Sequence, residues 1–103
     1  RFFRQMSQSS NSDSTASREV VVKNQLGLHA RPAAMFVKKA SGFKSEILVI
    51  KDGEEVNGKS IMGIMMLAAE HGAELLIEAE GSDADEAVAE VAALLESDFE
   101  EKA

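Results

Sequence analysis

Three short runs of apolar residues constrain the fold of this chain more than any other feature. Val20-Val21-Val22, Ile47-Leu48-Val49-Ile50 and Leu75-Leu76-Ile77 have the length and the branched side chains typical of buried strands. Asp52-Gly53, just after the second run, is a strong hairpin signal and predicts a short return strand from Glu54 to Val56. Four short strands are therefore expected in a chain of 103 residues.

Stretches with helical periodicity separate these runs. Ala33, Phe36, Val37 and Ala40 recur at intervals of three and four residues, which predicts a helix from Ala30 to about Ala40 with one apolar face. The second predicted helix runs from Ile61 to about Ala69, with Ser60 as its N-cap. The third begins at Gly81-Ser82-Asp83. Its apolar face is formed by Ala84, Val88, Val91 and Leu95, and Phe99 lies near its end.

The predicted element order is β-α-β-β-α-β-α. Helices that are apolar on one side, together with few strands, favour an α+β fold of two layers, with the helices on one face of the sheet. The first strand is expected to begin near Arg18, so the ordered domain is placed at residues 18–103. Residues 1–17, rich in Ser, Asn and Asp, are expected to be a disordered arm or a remnant of cloning.

Charge and cysteine count exclude several classes of function. The net charge of −7 argues against nucleic acid as a general partner, because phosphate backbones require basic surfaces. The absence of cysteine excludes disulfides, redox thiols and cysteine-ligated metals, and it agrees with a cytoplasmic location. No apolar stretch approaches the length of a membrane span, so membrane insertion is not expected.

One run, Gly27-Leu28-His29-Ala30-Arg31-Pro32-Ala33, combines the features of a phosphoryl-transfer site. The neutral imidazole of His29 is a nucleophile at physiological pH. Pro32 favours the first turn of a helix, so His29 stands before a helix N-terminus, whose N–H groups and dipole attract phosphate. Arg31 adds a permanent cation that binds phosphate oxygens in a fork. The run predicts a histidine that carries a phosphoryl group.

Other interpretations of these residues stay open at this point. A single histidine is commonly an ordinary surface or core residue, and Arg31 can be a plain exposed helix residue. A metal site is disfavoured because His71, expected in a surface loop, is the other histidine of the chain, and no cofactor is expected. A hydrolytic triad is disfavoured because the Gly-x-Ser-x-Gly pattern is absent.

Ser60 has two compatible interpretations. It is a good N-cap, and a phosphate on its hydroxyl would be stabilised by the helix dipole while adding about two negative charges. The following run, Ile61-Met62-Gly63-Ile64-Met65-Met66-Leu67, is apolar nearly all round, so it is either a methionine-filled core helix or an exposed docking patch. Ser60 lies near the apolar patch expected around His29 if the two helix N-termini are neighbours.

Together, the two motifs closely resemble those of the HPr family, the histidine-containing phosphocarriers of the bacterial phosphoenolpyruvate-dependent phosphotransferase system. The run from Gly27 to Ala33 matches the phosphocarrier signature, and Asn57-Gly58-Lys59-Ser60-Ile61-Met62-Gly63 matches the serine-site signature. The resemblance covers about Arg18 to Leu95. It implies an open-faced β-sandwich, with a four-stranded antiparallel sheet in the order 1-4-2-3 and three helices on one face.

The resemblance also implies a function. His29 would accept a phosphoryl group on Nδ1 from enzyme I and pass it to EIIA domains of sugar permeases, assisted by Arg31. Ser60 would be the target of the ATP-dependent HPr kinase/phosphorylase. The protein is expected to be a monomer and a carrier rather than an enzyme. The expected partner-binding residues are Ala30, Ile61, Met62 and Met65.

Two related functions remain as alternatives. One is a nitrogen-type regulatory phosphocarrier, which shares the histidine motif and is not excluded by Met65-Met66-Leu67-Ala68-Ala69. The other is a purely regulatory binding module that works through Ser60 and the methionines, as in relatives that have lost the histidine. The presence of His29 and Arg31 argues against the second alternative.

Overall fold

The computed structural model describes residues 14–97, which form one four-stranded sheet and three helices. The strand order is β1-β4-β2-β3, and all neighbouring strands are antiparallel. The predicted fold class, element order and sheet order are confirmed. The elements are β1 (Ser14–Val21), α1 (Ala30–Ser41), β2 (Glu46–Lys51), β3 (Glu54–Asn57), α2 (Ile61–Met66), β4 (Glu74–Gly81) and α3 (Ala84–Leu95).

The core lies between the three helices and one face of the sheet. Successive strand residues point to opposite faces, so alternate positions of β1, β2 and β4 bury their side chains beneath the helices. The largest fully buried side chains come from both layers and include Val20, Val49, Ile77, Phe36, Ile64 and Leu95. Within residues 14–97, no helix covers the other face of the sheet. No helix of this part of the chain has both the length and the apolar character to cross a membrane.

The Asp52-Gly53 turn is confirmed by backbone conformation. Both residues have positive φ, 53° at Asp52 and 84° at Gly53, as a two-residue type I′ hairpin requires. This turn sets β2 and β3 in the register that pairs Lys51 with Glu54 and Val49 with Val56. The hairpin therefore forms where the local sequence predicts it.

Two predicted boundaries are wrong. β1 begins at Ser14 rather than near Arg18, because its backbone pairs with β4 as far as Gly81 and such a ladder does not require apolar side chains. α2 ends at Met66 rather than near Ala69, because Ala68 adopts a left-handed conformation, with φ 52°, that stops the helix. The rest of the predicted arm, residues 1–13, and Phe99 lie outside the described residues.

Helices α1 and α2 run in opposite directions. The Nζ of Lys59, just before α2, donates to the carbonyl oxygen of Phe43, just after α1, at 2.7 Å. At the other end, the backbone N–H of Leu28, just before α1, donates to the carbonyl oxygen of Ala69, after α2, at 2.8 Å. The two helix N-termini are therefore not neighbours, and Ser60 lies at the end of α2 away from the His29 loop.

Candidate phosphoryl-acceptor site

His29 is the N-cap residue of α1. Its backbone is extended, with φ −81° and ψ −167°, and its carbonyl oxygen accepts the first helical hydrogen bond, from the N–H of Ala33 at 2.9 Å. Its side chain makes no capping bond and is exposed. The imidazole is therefore accessible to a partner, while the backbone that carries it is held by the helix.

The first turn of α1 is suited to an anion. The N–H groups of Ala30 and Arg31 have no intrahelical acceptor, and Pro32 has no N–H to leave unsatisfied. No acidic side chain occupies this turn, and Lys38 and Lys39 lie in the last one, so nothing within the helix opposes its dipole. Arg31 is exposed and forms no ion pair with an acidic side chain among residues 14–97. A phosphoryl group on His29 would meet N–H donors and a cation.

Buried contacts hold the loop before His29. The side chain of Asn24, only 1% exposed, donates from Nδ2 to the carbonyl oxygen of Gly27 at 2.6 Å, and the N–H of Gly27 donates back to the carbonyl oxygen of Asn24. Leu28 is buried and joins the loop to Ala69. Asn24 was not among the predicted site residues, although asparagine shortly before glycine is a turn signal.

Helix α2 is a core helix on one side and an exposed apolar surface on the other. Ile64 and Leu67 are buried, whereas Met62 and Met66 are 71% and 66% exposed. The structure therefore confirms a core side and shows an exposed apolar side, while docking of a partner on the exposed side stays a prediction. Leu26, 73% exposed in the loop before His29, was missed because an isolated leucine gives no pattern. We call the exposed apolar set the docking face: Leu26, Ala30, Ile61, Met62, Met65 and Met66.

Ser60 is the N-cap of α2, as predicted. Its Oγ accepts a hydrogen bond from the N–H of Gly63 at 3.0 Å, and the side chain is half-buried. Six helical residues span about 9 Å, so Ser60 and the His29 loop lie at opposite ends of the exposed side of α2. The two residues are therefore brought to the same surface without direct contact between their helix N-termini.

His71 lies exposed in a turn, as predicted. Across the described chain, no three His, Asp or Glu side chains are grouped closely enough to hold a metal ion. The geometry therefore offers a nucleophile, an anion site and an apolar surface.

Several known proteins are similar to this chain in sequence and fold. The family model described as the PTS HPr component phosphorylation site matches residues 16–97. The HPr-like protein Crh of Halalkalibacterium halodurans is 47% identical over 81 residues, which are 79% of this chain and 96% of that protein. The solved structure of the phosphocarrier protein HPr from Bacillus anthracis is 48% identical, with a TM-score of 0.77, and the match covers 80% of this chain and 98% of that one. The crystal structure of an HPr dimer from Thermoanaerobacter tengcongensis is 51% identical, with a TM-score of 0.67, over 80% of this chain and 94% of that one.

Proposed function

This chain belongs to the HPr family, and we propose that it carries a phosphoryl group on His29 from enzyme I to EIIA domains of sugar permeases. Members of the family are phosphocarriers rather than enzymes. The observation that supports His29 as the acceptor is its position: its exposed imidazole lies at the N-terminus of α1, where no side chain makes a capping hydrogen bond.

The transfer step needs positioning and charge stabilisation more than chemistry from the carrier. The lone pair of Nδ1 of His29 forms a bond to phosphorus while the bond from phosphorus to the donor breaks. The N–H groups of Ala30 and Arg31 and the guanidinium of Arg31 stabilise the negative charge of the transferred group. Because these donors lie on one open side, the acceptor protein can approach the same group afterwards.

Phosphorylation with phosphoenolpyruvate and enzyme I tests the assignment. The wild-type chain should gain one acid-labile phosphate, and His29→Ala should gain none. His71→Ala is the matched control, because it removes the other histidine from an exposed turn. Arg31→Ala should retain the acceptor and slow its phosphorylation. Undiminished labelling of His29→Ala would exclude His29 as the acceptor.

Ser60 is proposed as a second, regulatory phosphorylation site. Its side chain lies at the edge of the docking face, so a phosphate there would place about two negative charges beside the apolar contact surface. Incubation with HPr kinase/phosphorylase and ATP should label the wild-type chain and Ser82→Ala, an exposed serine in another turn, but not Ser60→Ala. Equal labelling of all three chains would exclude Ser60.

The similarity to Crh supports one alternative, in which the chain acts mainly as a regulatory binding module. This function would depend on Ser60 and the docking face and not on His29. Sugar uptake in cells that carry His29→Ala distinguishes the two functions: uptake is lost if the chain is a transfer carrier and retained if it is a regulator. Transfer from the phosphorylated chain to sugar-type and nitrogen-type EIIA domains further separates the two phosphocarrier branches.

The HPr of Thermoanaerobacter tengcongensis is a dimer in its crystal structure, whereas this chain is expected from its sequence to be a monomer. Because a 51% identical chain forms a dimer, the sequence-based expectation of a monomer requires measurement. We propose that the monomer is the form that transfers phosphate, since the docking face must be exposed for partners to reach His29. Sedimentation velocity at the concentrations of the transfer assay should show a monomer. Transfer that increases with the dimer fraction would contradict this proposal.

A further inference from the structure

The face of the sheet opposite the helices carries an apolar centre. The residues that alternate with the core positions point to this face, and the register pairs Ile50 of β2 with Leu76 of β4. Leu48 lies two residues from Ile50 on β2, and Val21 lies on the edge strand β1. Val21, Ile50 and Leu76 line part of a groove of about 460 Å³ whose other walls include Leu75 of the core and Glu96 just after α3.

Glutamate surrounds this apolar centre on every strand. The registers place Glu19 opposite Leu76, Glu46 opposite Glu80 and Glu78 opposite Leu48. Among the described strand positions of this face, none is Lys or Arg. A partner that covers this face must therefore combine apolar side chains with positive charge. The six glutamates of the face are Glu19, Glu46, Glu55, Glu74, Glu78 and Glu80.

We propose that the chain's own N-terminal segment, Arg1-Phe2-Phe3-Arg4-Gln5-Met6, binds this face. The segment has the required composition, because two arginines flank two phenylalanines. The rings would lie on the half-buried Leu48 and Leu76 of the apolar centre, and the guanidinium groups would meet exposed carboxylates at its edge, such as Glu19 and Glu46. Because the segment is attached to the domain, its effective concentration is of the order of millimolar, so a weak intrinsic affinity suffices.

The length and attachment of the segment permit this contact. β1 begins at Ser14, opposite Gly81 and close to Glu80 on the same sheet. From there the centre at Leu76 lies five residues along β4, which is roughly 17 Å at the rise of a strand, and one strand across, roughly 5 Å. Ser14 is eleven residues after Phe3 in the sequence. A flexible chain of that length has an average end-to-end distance of about 18 Å and can reach about twice that. Phe2 and Phe3 are therefore within reach.

A spin label on the segment tests the proposal in the full-length protein. The chain has no cysteine, so Gln5→Cys provides a single attachment point. Amide NMR signals of Leu48 and Leu76 should be broadened severalfold more than those of Ser60 and Met62 on the helical side. The difference should fall in high salt, which screens the charge contacts.

Two variants with matched charge separate specific binding from general attraction. Arg4→Glu should abolish the broadening at Leu48 and Leu76. Arg18→Glu makes the same change of charge at an exposed position of β1 that points to the helical side, and it should leave the broadening unchanged. Equal broadening on both sides of the domain, or loss with Arg18→Glu as well, would overturn the proposal. The proposal would also be overturned if a mixture of spin-labelled molecules and separate isotope-labelled molecules showed as much broadening at Leu48 and Leu76 as the protein that carries both labels. That result would identify a second copy of the chain as the occupant.

Discussion

At the scale of the residue, Gly27 is constrained by conformation and by space. Its φ is +74°, and a Cβ at this position would lie 2.7 Å from the carbonyl oxygen of Ala69. Gly72 has a similar φ of +89° but no atom within 4 Å of the added Cβ. Gly72→Ala should therefore lower the free energy of unfolding only by the cost of holding alanine at a positive φ, about 1–2 kcal/mol. Gly27→Ala should lower the free energy of unfolding by about 1–2 kcal/mol more, because the Leu28–Ala69 hydrogen bond must give way.

Urea unfolding of both variants measures this difference, and phosphorylation of His29 in Gly27→Ala measures its effect on the site. A Gly27→Ala variant as stable as Gly72→Ala would show that the loop moves away from Ala69 without cost. The loop before His29 would then not be held by this contact.

Asp83 joins the start of α3 to the start of β2. Its carboxylate accepts hydrogen bonds from the hydroxyl of Ser45 and from the backbone N–H groups of Lys44 and Ser45, the latter two at 2.9 Å. These bonds, that of the Ser45 hydroxyl foremost, lower the pKa of Asp83 below its ordinary value of 3.8. Since ionised Asp83 is favoured in the folded state, its stabilisation is present above pH 3.8 and is lost as the pH falls through the lowered value.

Asp83→Asn should therefore lower the free energy of unfolding by roughly 1–3 kcal/mol near neutral pH. The difference from the wild-type protein should shrink as the pH falls below 3.8. Urea unfolding over a pH series measures it, and Asp85→Asn, an exposed acid in the same turn, is the matched control. A difference that stays constant into strong acid would show that the bonds do not depend on the charge of Asp83.

At the scale of the element, the exposed side of α2 should affect docking without affecting stability. Met62 is 71% exposed, so Met62→Ser should change the free energy of unfolding by no more than about 0.5 kcal/mol. If the docking face contacts enzyme I, loss of about 1 kcal/mol of contact raises the KM for the carrier about fivefold. Steady-state phosphorylation measures the KM, and Ala89→Ser, exposed on α3, should leave it unchanged. An unchanged KM for Met62→Ser would remove Met62 from the docking face.

Elements were predictable from the sequence where local chemistry decides them. Asp52-Gly53 forms the expected turn because few residues adopt positive φ in succession, and α1 starts at Ala30, after the N-cap His29, because Pro32 is tolerated in its first turn. Ser14–Ser17 were not recognised as strand because their pairing with β4 is a contact across the fold. The tertiary bonds of Asn24 and Asp83 were missed for the same reason.

At the scale of the whole molecule, the relative direction of α1 and α2 was beyond local sequence signals. It depends on two distant contacts, Lys59 with Phe43 and Leu28 with Ala69, and it determines how the two proposed phosphorylation sites lie relative to each other. A docking face between His29 and Ser60 allows one partner to cover both sites. Regulation from Ser60 is then expected to act on partner binding rather than on the nucleophile.

This arrangement predicts a specific kinetic effect for Ser60→Asp. Two charges roughly 10 Å apart in water interact by about 0.4 kcal/mol, and salt reduces this further, so the aspartate has little direct effect on transfer at His29. Its charge instead meets the partner at the docking face. Ser60→Asp should therefore raise the KM for phosphorylation by enzyme I severalfold and leave kcat unchanged. Ser60→Asn, which also caps the helix but is neutral, should behave like the wild-type protein. A lower kcat with an unchanged KM, or the same effect from both variants, would show that Ser60 acts through the helix itself and not through the partner surface.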